Sequence, residues 1–242
     1  MNNKNVLDNI KSDYFVQLLF NMLQKNISFR IVNYNKYLQK KLNISIKDFI
    51  ECYDLYGPTS IEIIPVTNKY GKFINIRENE KKYYRIYFND NKKEIKNKYS
   101  INEEDKITKI NVKVNYKINP LGYLFEGCDC IESVHIRKYC RKSCSLYSII
   151  EGCASIKELS LSDFYENEIS NMPSMFCDCK SIEKININNF YNNKVGNMPC
   201  TFNGCTSLKQ VNISNFYNNK ADNMPSTFSG CTSLKEVNIS NF

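Results

Sequence analysis

Cys128, Cys130, Cys140 and Cys144, with His135 among them, form a C-x-C-x9-C-x3-C cluster, and Cys177 with Cys179 repeats the C-x-C. Thiolates and an imidazole close together are zinc ligands, and a cysteine beside a histidine is the minimum for thiol nucleophilic catalysis. This spacing is not that of a standard zinc finger. His135 is the only histidine in 242 residues, and G-x-S-x-G, H-E-x-x-H, G-x-x-x-x-G-K-S/T and G-x-G-x-x-G are all missing. The sequence therefore predicts no catalytic residue, no metal and no cofactor. The chain holds 11 cysteines, an odd number, and opens on "MNNKNVLDNIKSD", so a complete disulfide framework is not expected either.

A second spacing accounts for the thiols. Cys128, Cys153, Cys179, Cys205 and Cys231 are separated by 25, 26, 26 and 26 residues, and each is followed by an apolar-x-x-apolar-x-apolar-x-x-aromatic run. The run reads Ile131, Val134, Ile136, Tyr139 in the first unit and Leu234, Val237, Ile239, Phe242 in the fifth. Thr201–Phe216 and Thr227–Phe242 differ only at Asn203/Ser229 and Gln210/Glu236. Five units with one period describe a repeat protein, because one such unit cannot bury its apolar edge and stacking in register builds a continuous core. A small, easily buried cysteine suits the turn of each coil. Upstream, "NMPSTFSGC" offers Pro225, an inward Phe228 and Gly230, the grammar of a short helix or 3₁₀ turn backing each strand.

Within each strand the alternation sends one set of side chains inward and one to solvent. The solvent-facing positions form three columns: His135, Ser160, Asn186, Asn212 and Asn238 at the centre; Ser133, Glu158, Lys184, Gln210 and Glu236 on one flank; Arg137, Ser162, Asn188, Ser214 and Ser240 on the other. Columns of this kind are where repeat proteins bind partners. The distinctive chemistry lies at His135, Arg137, Glu158 and Lys184, while the asparagines also suit solubility and hydrogen bonding between coils. "NIS" at Asn212 and Asn238 is a glycosylation sequon, and sugars there would stand on the binding face.

The elements before the repeats fall into two parts. Residues 1–57 read as a helical module, with apolar faces at Tyr14–Leu23, Ile31–Leu42 and Ile46–Tyr53. Residues 58–118 change to a period of two in "SIEIIPV", "KFINI", "YYRIYF" and "KITKINVKVNY", a β-rich segment that caps the first coil. Residues 119–242 are the repeats. The predicted fold class is an α/β repeat solenoid. The net charge of +8 lies before the repeats, which carry 11 basic and 12 acidic residues, and no basic motif interleaved with aromatics accompanies it. Nucleic acid is not an expected partner. No apolar run is long enough to span a membrane and the opening residues do not read as a secretory signal, so the expected location is cytoplasmic. Phe242 ends on a strand pattern, from which a longer array or self-association through an uncovered last coil is expected.

In "MPSMFCDCKSIEKININNF", "MPCTFNGCTSLKQVNISNF" and "MPSTFSGCTSLKEVNISNF" the chain resembles the surface-protein-A-like (BspA-like) leucine-rich repeat family, whose units read M-x-x-M-F-x-x-C-x-S-L-x-x-L-x-L-S-x-F. The resemblance covers residues 149–242, is weaker from Leu124 to Ser148, and implies a solenoid used for protein binding, often as a surface protein in adhesion. The helices "IKSDYFVQLLFNML" and "FRIVNYNKYLQKKL" resemble an F-box, which implies recruitment of an ubiquitin-ligase core. The reading that results is a non-catalytic protein–protein interaction scaffold, with a surface adhesin and a ligase substrate receptor as alternatives.

Overall fold

A computed structural model describes residues 36–42, 59–115, 121–137, 143–162, 168–186, 198–212 and 224–238. The chain divides into two compact units, Met1–Gly57 and Pro58–Phe242. In the first, the described residues include one helix, α1 (Lys36–Lys41), with Leu38 fully buried. The helices expected at Tyr14–Leu23 and Ile46–Tyr53 lie outside the described residues. The β-rich segment and the repeats belong to the second unit together.

In that unit β1 (Thr59–Pro65) alternates buried and half-buried side chains, as a period of two requires. It is followed by β2 (Gly71–Lys72), a 3₁₀ helix at Glu78–Tyr83, β3 (Tyr84–Phe88), β4 (Ser100–Ile101) and β5 (Ile110–Val114). The run "KFINI" departs from the expected strand. Only Lys72 of it pairs, because Phe73 and Ile74 both turn into the core. The repeats contribute β6 (Ile131–Arg137), β7 (Ser143–Ser145), β8 (Glu158–Ser162), β9 (Glu168–Asn171), β10 (Lys184–Asn186), β11 (Gln210–Asn212) and β12 (Glu236–Asn238).

A five-stranded sheet runs β3-β5-β1-β6-β8, and a three-stranded sheet runs β10-β11-β12. β1 lies antiparallel between β5 and β6, so the edge of the first repeat strand is paired by a segment that precedes it by about 70 residues. β6 and β8 pair in parallel, as do β10, β11 and β12. Residues one period apart are therefore direct neighbours. Val134, Ile136, Leu161, Ile185 and Val211 are buried where the pattern turns them inward.

Of the short helix or 3₁₀ turn expected on the opposite side of each coil, the helix does not form: residues 121–127 and their counterparts are a chain of tight turns closed by bonds three residues back. Amides of Leu124, Glu126 and Cys128 bond carbonyls three residues back, while the intervening Tyr123, Phe125 and Gly127 donate to Tyr147, Ile149 and Glu151 of the next coil. The pattern recurs through Ser148, Ile150 and Gly152 and again through Ser174, Phe176 and Asp178. It requires a left-handed residue at one fixed place per coil, where Tyr123, Ser148, Ser174, Cys200 and Ser226 all have φ between 49° and 61°. An α-helix would satisfy these amides internally and could not bond the next coil. Four residues on, a second left-handed position holds Gly127, Gly152, Asp178, Gly204 and Gly230. Glycine suits Gly204, where φ is +71° and a Cβ would stand 2.3 Å from Asp178 Oδ1 and force that carboxylate to move.

Candidate interaction surface

The cysteine column faces inward. Cys128, Cys153, Cys179 and Cys205 are buried, and Cys231 is half-buried. Each thiol from Cys153 onward donates to the carbonyl at the aromatic position of the preceding coil: Phe125 at 2.8 Å, Ile150 at 3.1 Å, Phe176 at 2.9 Å and Phe202 at 2.9 Å. The cysteines thus bond one coil to the next as well as filling space. Burial pushes Cys153 and Cys205 up to about 12 and raises Cys128 and Cys179 strongly, so these thiols stay protonated at neutral pH. Cys130 is also buried and donates to the Lys72 carbonyl, whereas His135 lies on the outward side of β6. Strand alternation thus sends His135 to the opposite side of β6 from the buried core. Cys140 lies outside the described residues, and of Cys144 only the backbone is described. Among the described residues no group of three His, Cys, Asp or Glu side chains is placed to hold a metal ion.

The strand register sets the described column residues side by side. Ser133, His135 and Arg137 stand opposite Glu158, Ser160 and Ser162; Lys184 and Asn186 stand opposite Gln210 and Asn212, and these opposite Glu236 and Asn238. Asn188, Ser214 and Ser240 lie outside the described residues. The columns are not one unbroken ladder, because β8 and β10 belong to different sheets; across that step the coils are joined on the turn side by Ile150 and Gly152 bonding Met175 and Cys177.

Side chains of neighbouring coils also meet. Gln210 Nε2 donates to Glu236 at 2.7 Å, Lys157 meets Glu132 at 2.8 Å, Lys209 meets Glu183 at 2.8 Å, and His135 Nδ1 is 3.9 Å from Glu158. The Lys209 ammonium holds Glu183 below the usual carboxylate range.

The strand order extends the face beyond the repeats. Because β1, β5 and β3 continue the sheet past β6, the central row reads Tyr87, Asn111, Glu62, His135, Ser160. The next row reads Arg85, Lys113, Ser60, Arg137, Ser162 and carries three cations; Lys113 Nζ lies 5.8 Å from the Tyr87 ring. Lys109 is held between Glu62 at 2.9 Å and Asp90 at 3.3 Å, and these bonds raise its pKa, that to Glu62 most. Tyr87, Arg85, Lys113, Asn111 and Glu62 escape a reading based on the repeats. Alternation in "RIYF", "INVKV" and "SIEII" marks them as outward-facing, but nothing local says which strand lies beside β6.

Residues 144–242 match the sequence family described as "Mycoplasma protein of unknown function, DUF285". No curated protein and no solved structure matches the chain. Among the described residues no helix is long and apolar enough to cross a membrane.

Proposed function

We propose that residues 119–242 form a leucine-rich-repeat-type solenoid of the BspA-like kind, and that the chain is a non-catalytic scaffold binding another protein through the outward strand face. The observation that carries this reading is the register. It sets Tyr87, Asn111, Glu62, His135 and Ser160 side by side on five neighbouring strands, a polar surface with an aromatic at one end. The adjoining row of Arg85, Lys113 and Arg137 favours a partner that presents an acidic segment. The face also contains both sequon asparagines, Asn212 and Asn238, paired in register. Sugars there would cover the binding surface, and the proposal is accordingly of a protein that works inside the cell.

The test is affinity capture with the full chain against a Lys113→Glu/Arg137→Glu variant, with Tyr147→Ser on the turn side as control. Both reversed residues are exposed, so folding should be unaffected. Partners retained by the control and lost by the charge reversal are expected. Identical partners for all three chains would refute binding through this face, and glycan mass on Asn212 in the native protein would refute the location.

A further inference from the structure

The outer edge of β3 borders a cleft that shares Arg85 with the strand face and is otherwise distinct from it. Its other wall is the segment 94–99, anchored where the Ile95 amide donates to the Ile86 carbonyl at 2.8 Å, and the 3₁₀ helix closes one end. The cavity has a volume of about 350 Å³, the small end of the range for small-molecule sites. Lys81, Lys82, Arg85 and Lys96 line it against a single carboxylate, Glu94. Lys81 is neutralised by Glu78 at 2.6 Å and lies 4.9 Å over the Tyr99 ring, while Lys82, Arg85 and Lys96 make no ion pair among the described residues. The wall is left with roughly two uncompensated positive charges, a match for a dianion.

The independent observation is Tyr84. This residue lines the cleft, is 6% exposed, and its hydroxyl is buried without a hydrogen-bond partner among the described residues. An orphan buried hydroxyl costs about 1–3 kcal/mol, and such a group calls for an explanation. Burial raises its pKa above the ordinary tyrosine value, so it remains a donor at neutral pH. Ile86, Ile95 and the Tyr99 ring supply apolar surface beside the cations.

We infer that this cleft binds a small phosphate monoester carrying an apolar or aromatic body, with the phosphate held by Lys82, Arg85 and Lys96 and the Tyr84 hydroxyl as an additional donor. A dianionic phosphate uses several donors at once and leaves none of these groups unsatisfied. The body lies against Tyr99 and the isoleucines. The site shares Arg85 alone with the proposed strand face, and its test, made on Lys82, Lys96 and Tyr84, is independent of that reading.

The experiment is isothermal titration of the full chain at low ionic strength with inorganic phosphate, adenosine monophosphate and adenosine. Adenosine monophosphate should bind with Kd on the order of 0.1 mM, phosphate more weakly at the same site, and adenosine not measurably. Lys82→Ala/Lys96→Ala removes two exposed cations and should weaken binding about tenfold. Tyr84→Phe should weaken it about threefold while the melting temperature without ligand holds or rises, because the orphan hydroxyl is gone. The inference is overturned if neither phosphate compound binds, if the double lysine variant binds as tightly as the wild type, or if polyglutamate competes as well as adenosine monophosphate, which would reduce the cleft to a charged surface.

Discussion

Phe202 offers the sharpest test of whether stacking between neighbouring coils is what stabilises the repeats. Its side chain is fully buried, and its ring stacks on Phe176 at 5.4 Å and on Phe228 at 5.3 Å, with interplanar angles of 23° and 13°. Burying a phenylalanine removes roughly 150–200 Å² from water, about 4 kcal/mol at 25 cal/mol/Å², and each ring pair adds about 0.5–1.5 kcal/mol. Phe202→Ala should therefore cost about 5–7 kcal/mol, at or above the top of the usual range for that substitution. Phe202→Leu keeps most of the burial and loses both ring contacts, so it should cost about 1–3 kcal/mol. Urea unfolding of the reduced full chain, followed by circular dichroism, measures both. Should alanine approach the total stability of the chain, leucine still gives a readable shift. Because the amide of Phe202 bonds the Thr227 carbonyl and that of Phe176 bonds the Thr201 carbonyl, hydrogen exchange should quicken at both positions in the alanine variant. A loss below about 2 kcal/mol for alanine, or equal losses for alanine and leucine, would refute the argument that burial and ring stacking between coils dominate.

Two further outcomes follow from groups inside the stack. Thr201 is buried and its hydroxyl donates to the Met172 carbonyl at 2.8 Å, as Thr227 does to Met198 at 2.9 Å, so Thr201→Val should cost about 1–2 kcal/mol in urea unfolding despite its similar shape. For pH, the folded state holds the Cys153 and Cys205 thiols up to about 12 while the unfolded chain ionises them near the ordinary value of 9; the stability they contribute is full below about pH 9 and is lost as pH rises toward 12, by roughly 1.4 kcal/mol per unit for each group. Cys205→Ser should flatten the fall between about pH 9 and 10.5 by the equivalent of one proton, and an unchanged slope would mean that Cys205 ionises alike in both states.

What the sequence made legible were the features decided within one period. The spacing from Cys128 to Cys231 identifies a column of side chains that is indeed drawn inward, and alternation in "EVNIS" and its counterparts identifies which residues leave the core, because burial of one strand face is a local rule. The turn side reads in the sequence as a short helix or 3₁₀ turn, and the helix does not form for an equally physical reason. Pro225 and Gly230 fit a short helix, but the residue between them that decides the backbone is Ser226, left-handed at φ 55° along with Tyr123, Ser148, Ser174 and Cys200. None of these residue types advertises that conformation. Its cost is borne because it frees alternate amides for the neighbouring coil, and that neighbour lies 25 or 26 residues away.

The extent of the outward face was beyond local reading for a different reason. Pairing of β1 with β6 joins Ser60 to Arg137 and Glu62 to His135, an antiparallel contact that a sequence rich in Ile and Val at alternate positions permits with any exposed strand edge. The repeat strands are mutually parallel and carry their register in the period, whereas β1 carries none. Its place is set by what it can bury: Ile61 and Ile63 are fully buried opposite Ile136 and Val134, and Val112 and Ile110 complete the same layer on the other side. A one-residue slip would send Glu62 and Ser60 into that layer and leave Ile61 and Ile63 in water, a loss of several kcal/mol that fixes the alignment. The position of the cation row follows from that constraint on the hidden side of the sheet. Arg85, Lys113 and Arg137 share a line because the isoleucines and valines beneath them must.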